Sequence, residues 1–158
     1  MKGLIYANLS KASLKTGGKP RCRILVVDDE AGACRSMRSA LTHNGCRVSV
    51  AGTGARALAR LKQDRFDVVI VDRALVGFKG NELAARVKQN WPGLPIIMTT
   101  AFAMDFNVSG TTFKNVDYVL GKTCGLPELL GAIARVQPAN SEPVSGLTHS
   151  LADDMHLN

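Results

Sequence analysis

The sequence predicts a doubly wound α/β fold, with a five-stranded parallel sheet flanked by helices. Three observations support it. Between residues 23 and 136, short runs rich in Val and Ile alternate with segments whose apolar residues recur at helical spacing, the pattern of successive strand–helix units. The short runs are near-continuously apolar, as strands covered by helices on both faces require. Several of them also stop abruptly on polar residues able to do chemistry, and in such sheets ligand groups collect at the carboxyl ends of the strands.

The strands fall in order at residues 24–27, 47–51, 68–71, 96–99 and 118–120. Helices are expected at 31–43, where Met37 and Leu41 lie one turn apart, and at 54–63, with Leu58 and Leu61. Two more are expected at 80–90, with Leu83 and Val87, and at 127–136, with Leu129, Leu130 and Ile133. Pro127 suits a first helical position, where its missing N–H costs nothing. The segment AFAMDFNVSGTTFKN, residues 101–115, is a poor helix because Gly and β-branched Thr stand where a turn should propagate.

A chain of 158 residues with 46% hydrophobic and 21% charged residues suits one globular domain with tails. Residues 1–22 form a basic lead-in ending in KTGGKPRC, residues 23–136 the domain, and residues 137–158 an acidic tail without sustained periodicity; both ends are expected to be flexible. The net charge of +7 is spread over helix-like segments without aromatic interleaving or a reading motif, so direct nucleic-acid binding is not expected. No apolar run approaches the roughly 20 residues of a membrane span, and the opening MKGLIYANLSK is too briefly apolar for a secretory signal. A cytoplasmic protein without membrane contact is expected. Cys22, Cys34, Cys46 and Cys124 form no CxxC pair and are read as reduced thiols filling small gaps. His43, His149 and His156 lack the clustering of metal ligands.

The strand ends gather the chemistry. The first run, RILVV, stops on Asp28 and Asp29; the third is followed by Asp72, the fourth ends on Thr99 and Thr100, and the fifth precedes Lys122 by two residues. Carboxylates about 4 Å apart repel by roughly 4 kcal/mol at an effective dielectric near 20, so crowding them calls for a cation. Mg²⁺ fits, since it takes one or a few carboxylates together with waters and a phosphate oxygen. Phosphoryl transfer to a carboxylate needs this set: Asp72 as nucleophile, Lys122 to neutralise the phosphoryl oxygens and Thr100 to donate a hydrogen bond to one of them. Glu30 is read as first-turn charge favoured by the helix dipole. Thr99, next to Thr100 on a strand, faces the other way. Trp91 is read as packing.

Residues 23–136 resemble the receiver domains of two-component response regulators, through VVDD, VVIVDRALVG, LPIIMTTA and VLGKTCGLPELL in that order. The resemblance implies a flavodoxin-like receiver fold. It implies that Asp28 and Asp29 form an acidic pocket which holds Mg²⁺ together with Asp72 and the backbone carbonyl of Ala74. It further implies that Asp72 is the phosphoacceptor, Thr100 the switch hydroxyl and Lys122 the phosphate-sensing lysine. By the same resemblance the side chains flanking the path of a hydrolytic water are Ala74 and Phe102, neither of which holds water, so slow self-dephosphorylation is expected; the alternative is that Phe102 turns into the segment after the fourth strand and covers apolar surface there. Three positions depart from the family pattern: Leu75-Val76-Gly77 replaces Met-Pro-Gly, Thr123 replaces a proline, and Val119 stands where a switch aromatic is usual, with Tyr118 one residue earlier.

The expected function is a signalling module rather than an enzyme, phosphorylated by a sensor histidine kinase or a histidine phosphotransfer protein and altering contact with a downstream protein. Neither the lead-in nor the tail has the length of a DNA-binding winged helix. Two alternatives stand beside it. An aspartyl-nucleophile phosphatase or phosphotransferase usually has a second acid two residues after the nucleophile, a position held here by Ala74. A degenerate receiver would bind partners without phosphorylation, against which Asp72, Thr100 and Lys122 are all retained.

Overall fold

The computed structural model describes residues 22–101 and 113–137. Apart from Cys22 and Gln137, the predicted lead-in and tail lie outside the described residues, with His149 and His156, as do residues 102–112 of the segment expected to be a poor helix.

The described elements run β1 (Arg23–Val27), α1 (Ala31–His43), β2 (Arg47–Ala51), α2 (Gly54–Gln63), β3 (Val68–Asp72), α3 (Gly80–Asn90), β4 (Ile96–Thr100), β5 (Tyr118–Gly121) and α4 (Leu126–Val136). All neighbouring strands pair in parallel, in the order β2-β1-β3-β4-β5. The doubly wound prediction therefore holds. The order reverses at β1 and β3, and the crevice beyond their carboxyl ends is where such sheets place ligands.

Each face of the sheet has its own core. Alternation along the strands sends Ile24, Val26, Val48, Val68, Ile70 and Ile97 to one side, where they meet Cys34 and Leu41 of α1 and Leu129, Ala132 and Ile133 of α4. Leu25, Val27, Val69, Val71 and Ile96 point to the other, against Ala57 and Leu61 of α2 and Leu83, Ala84 and Val87 of α3. Residues of β3 and β4 are buried throughout, which explains their unbroken apolar sequence.

The differences from the sequence-based boundaries are small. β3 and β4 each extend one residue further, through Asp72 and Thr100, because their polar last residues still continue the pairing with neighbouring strands. Glu30 is the N-cap of α1, outside its first turn, and makes no side-chain capping bond. Its placement is thereby corrected from the first turn to the N-cap position that precedes it. α4 starts at Leu126, so Pro127 is its second residue, and Gly125 at the N-cap receives the Glu128 carboxylate on its backbone N–H. Trp91 is half-buried at the end of α3 and packs on the second core. Cys22 is buried at 3% exposure within the first core, so the core takes in the last residue of the predicted lead-in.

Candidate functional site

β1 and β3 deliver the acidic residues side by side. Val27 pairs with Val71 in the register, so the next residues, Asp28 and Asp72, emerge together at the switch point. Both are buried, at 5% and 3% exposure, whereas Asp29 is exposed. One carboxylate oxygen from each of Asp28, Asp29 and Asp72 lies within 4.8 Å of the others. The local fold holds the first two chain segments firmly. Asp28 Oδ1 accepts the Glu30 N–H at 2.9 Å, and the Asp28 N–H donates to the Ala51 carbonyl at 3.2 Å. Asp28 thus performs both the turn role common for a strand-end aspartate and a role in the acidic cluster.

Lys122 reaches this cluster from the end of β5. Its Nζ lies 2.9 Å from Asp72 Oδ2 and 3.4 Å from Asp28 Oδ2, and its backbone N–H donates to the Thr100 carbonyl at 2.8 Å. Burial works against the ammonium's charge, but the Asp72 hydrogen bond and the charges of Asp28 and Asp72 outweigh it and hold Lys122 above its ordinary pKa. Two buried carboxylates thereby have a shared counterion, as groups taken out of water require.

Thr100 is buried at 2% exposure at the end of β4. The Thr99 hydroxyl turns back to the Val71 carbonyl at 3.5 Å, so the expectation that only one of the two threonines serves the site agrees with the alternation of the strand. Ala74 is exposed on the turn after β3, and its N–H donates to Asp72 Oδ1 at 3.2 Å. Phe102 lies outside the described residues. His43 is exposed at the end of α1. The four cysteines are free, Cys22, Cys34 and Cys46 buried and Cys124 half-buried. In the turn between β3 and α3, Leu75 packs into the second core, Val76 is exposed and Gly77 has a φ of 72°, a conformation that glycine adopts without strain.

Two supporting residues were missed by the sequence reading. Gly80 opens α3 directly against the phosphoacceptor candidate's backbone: a Cβ there would stand 2.4 Å from the Asp72 carbonyl oxygen. The signal was a glycine immediately before an amphipathic helical run. Cys34 Sγ donates to the Asp28 carbonyl at 3.2 Å, and burial together with the Asp28 charge raises its pKa. No spacing rule points to it.

The chemistry of the donor set fits a hard divalent cation: carboxylate oxygens from three residues, clustered, with the rest of the coordination open to water and phosphate oxygens. No helix among the described residues is long and apolar enough to cross a membrane.

The sequence model of the response regulator receiver domain matches residues 24–134. Over 106 residues the chain is 33% identical to the probable transcriptional regulatory protein TcrX of Mycobacterium tuberculosis, covering 66% of this chain and 45% of that protein. It is 32% identical over 133 residues to the response regulator MprA of Mycobacterium avium, covering 81% of this chain and 58% of MprA. The chain thus spans about half the length of the curated relatives it matches. Among solved structures it is similar to the response regulator protein TrrA of Thermotoga maritima in complex with Mg²⁺-BeF, with a TM-score of 0.65 and 26% identity over 73% of this chain and 98% of that one. The chain belongs to the response regulator receiver domains of two-component systems.

Proposed function

We propose that Asp72 accepts a phosphoryl group from a phosphohistidine on a sensor histidine kinase or a histidine phosphotransfer protein, and that the product alters contact with a downstream protein. The observation that carries this reading is the single ammonium of Lys122 held 2.9 Å from Asp72 and 3.4 Å from Asp28 at the switch point of the sheet. An oxygen of Asp72 attacks phosphorus, the P–N bond breaks, and the imidazole departs with the bond's electron pair. The result is an acyl phosphate. Lys122 already lies beside the attacking carboxylate, where it offsets the negative charge that the phosphoryl group brings. Thr100, at the end of the adjacent strand, supplies a hydroxyl for one phosphoryl oxygen.

Asp28, Asp29 and Asp72, with the carbonyl of Ala74, would hold Mg²⁺. When bound, the metal neutralises charge on the transferring phosphoryl oxygens. The complex of TrrA with Mg²⁺-BeF supports a metal and phosphorylation by analogy. The module is not a turnover enzyme in this reading. The methyl of Ala74, where aspartyl phosphatases usually have an acid, disfavours that alternative. Since kinase and phosphotransfer donors work in the cytoplasm, so does this chain.

Incubation with acetyl phosphate and Mg²⁺, followed by intact mass measurement, tests the proposal. One added phosphoryl group is expected, lost with Asp72→Asn and with chelation of the metal. Phosphate on another residue, or none from any phosphohistidine donor, removes the reading.

A further inference from the structure

At the amino ends of β1 and β2, the opposite edge of the sheet from Asp72, a shallow cleft is lined by Arg23, Arg47, Ser49, Asp64, Arg65 and Phe66. The register builds it. Arg23 and Arg47 are partners on adjacent parallel strands, so both side chains leave the same face, with their Cα atoms about 4.8 Å apart. Ser49, two residues along β2, shares that face. The loop after α2 brings Asp64, Arg65 and Phe66 alongside. It is fixed by Asp67, whose N–H donates to the Arg23 carbonyl at 2.8 Å and whose Oδ2 accepts the Arg23 N–H at 2.7 Å.

The Asp67 carboxylate is therefore turned to the backbone of Arg23 rather than to a guanidinium. Among the described residues, the side chains of Arg23, Arg47 and Arg65 make no hydrogen bond or ion pair. Like charges at facing positions of neighbouring strands repel. Three guanidiniums against the carboxylates of Asp64 in the lining and Asp67 beside it leave the cleft with a net positive charge. Their planar forks match the oxygens of a tetrahedral dianion, to which Ser49 adds a hydroxyl donor. Half-buried Phe66 supplies an apolar wall for a carbon substituent.

We propose that this cleft binds a small phosphate-type dianion, either inorganic phosphate or a low-molecular-weight phosphomonoester. The site lies the length of a five-residue strand from the acidic cluster, roughly 16 Å. It does not depend on phosphoryl transfer at Asp72.

The test is a nuclear magnetic resonance titration of the full chain without divalent metal at constant ionic strength, following backbone amides and arginine Nε–H signals. Inorganic phosphate and glycerol 3-phosphate are the probes, with chloride and sulfate as controls. Saturable shifts are expected at Arg23, Arg47, Ser49 and Arg65, weakened at least about tenfold by Arg47→Gln or Arg65→Gln with the fold unchanged by circular dichroism. Asp64→Asn is expected to tighten binding, an outcome no unfolding artefact produces. Tighter binding of the ester than of phosphate identifies the phosphomonoester as the ligand; equal binding identifies phosphate itself. Shifts confined to the neighbourhood of Lys122, or shifts that chloride reproduces, an adventitious ion only, overturn the proposal.

Discussion

The Lys122 ammonium lies 2.9 Å from Asp72 and 3.4 Å from Asp28, so one cation from β5 ties together the ends of β3 and β1. β5 does not pair with either of those strands; β4 stands between it and β3. The side chain therefore bridges over a strand, and its position depends on the carboxylates at the far end of that reach.

Lys122→Ala should leave Asp28 and Asp72 without their shared protein counterion. Breaking a well-buried pair costs 3–5 kcal/mol, and with the lysine side chain 30% exposed the loss is expected near 1–2 kcal/mol. Urea unfolding measures it. Added Mg²⁺ should restore more stability to the variant than to the wild type, and phosphorylation of the variant should produce a smaller structural response.

The lifetime of the phosphoryl group should be long. Ala74 stands exposed beside Asp72 and has no side-chain group to orient an attacking water. Ala74→Asn, which supplies one, is expected to speed decay about tenfold, and Phe102→Glu to speed it further. Following loss of phosphorylated mass with time decides it: unchanged decay in both variants would refute water positioning at these positions.

Stability should fall at alkaline pH from a source away from the site. A hydrogen bond with the Cys46 thiol, together with burial, raises the Cys22 thiol well above its ordinary pKa of 9.0. Its folded-state pKa being the higher, the stabilisation is complete below pH 9.0 and is lost as pH rises toward the folded value. Above pH 9.0 stability should therefore fall as pH rises, with Cys22 the largest contributor. Cys22→Ser, compared by denaturant unfolding between pH 8 and pH 10, should flatten that fall. Alkylation of Cys22 in the folded protein should be slow at every pH in that range.

Asp117→Ala should loosen the start of β4. The Asp117 carboxylate accepts the Ile96 N–H at 2.8 Å and pairs with Lys88 at 2.8 Å. The bond is part-buried and Asp117 itself is exposed, so water can partly replace the lost acceptor and the cost is expected near ~1 kcal/mol. Asp117→Asn, which keeps an acceptor, should recover most of the loss in thermal unfolding.

Much of this was legible in the sequence because parallel strands buried on both sides write themselves as unbroken apolar runs. Val68–Asp72 and Ile96–Thr100 were both placed to within one residue. The missing residue in each case was the polar one at the carboxyl end, where the chemistry sits and where apolar pattern stops being a guide. Asp28, Asp29, Asp72, Thr100 and Lys122 were singled out because each stands at or just beyond a strand end, and the structure brings the three aspartates and Lys122 together. What could not be read depended on register and on approach. Arg23 and Arg47 look like scattered surface charges until β1 and β2 are aligned. Cys34 looks like core filler until its thiol meets the Asp28 carbonyl. Tyr118, one residue from the usual place of an aromatic, faces the α4 side and lies under Arg135, 5.9 Å from its ring centroid. Alternation along β5 prevents it from standing in for Val119.

Gly80 joins the end of β3 to the start of α3. Its N–H donates to the Arg73 carbonyl at 3.1 Å, and its bare Cα presses on the Asp72 carbonyl so closely that a methyl would overlap it. The main chain of β3 and the first turn of α3 are therefore jointed without slack. A methyl group at position 80 would have to push the first turn of α3 away from the end of β3. The absence of a side chain at Gly80 thus sets how closely the helix can seat against the strand that carries Asp72.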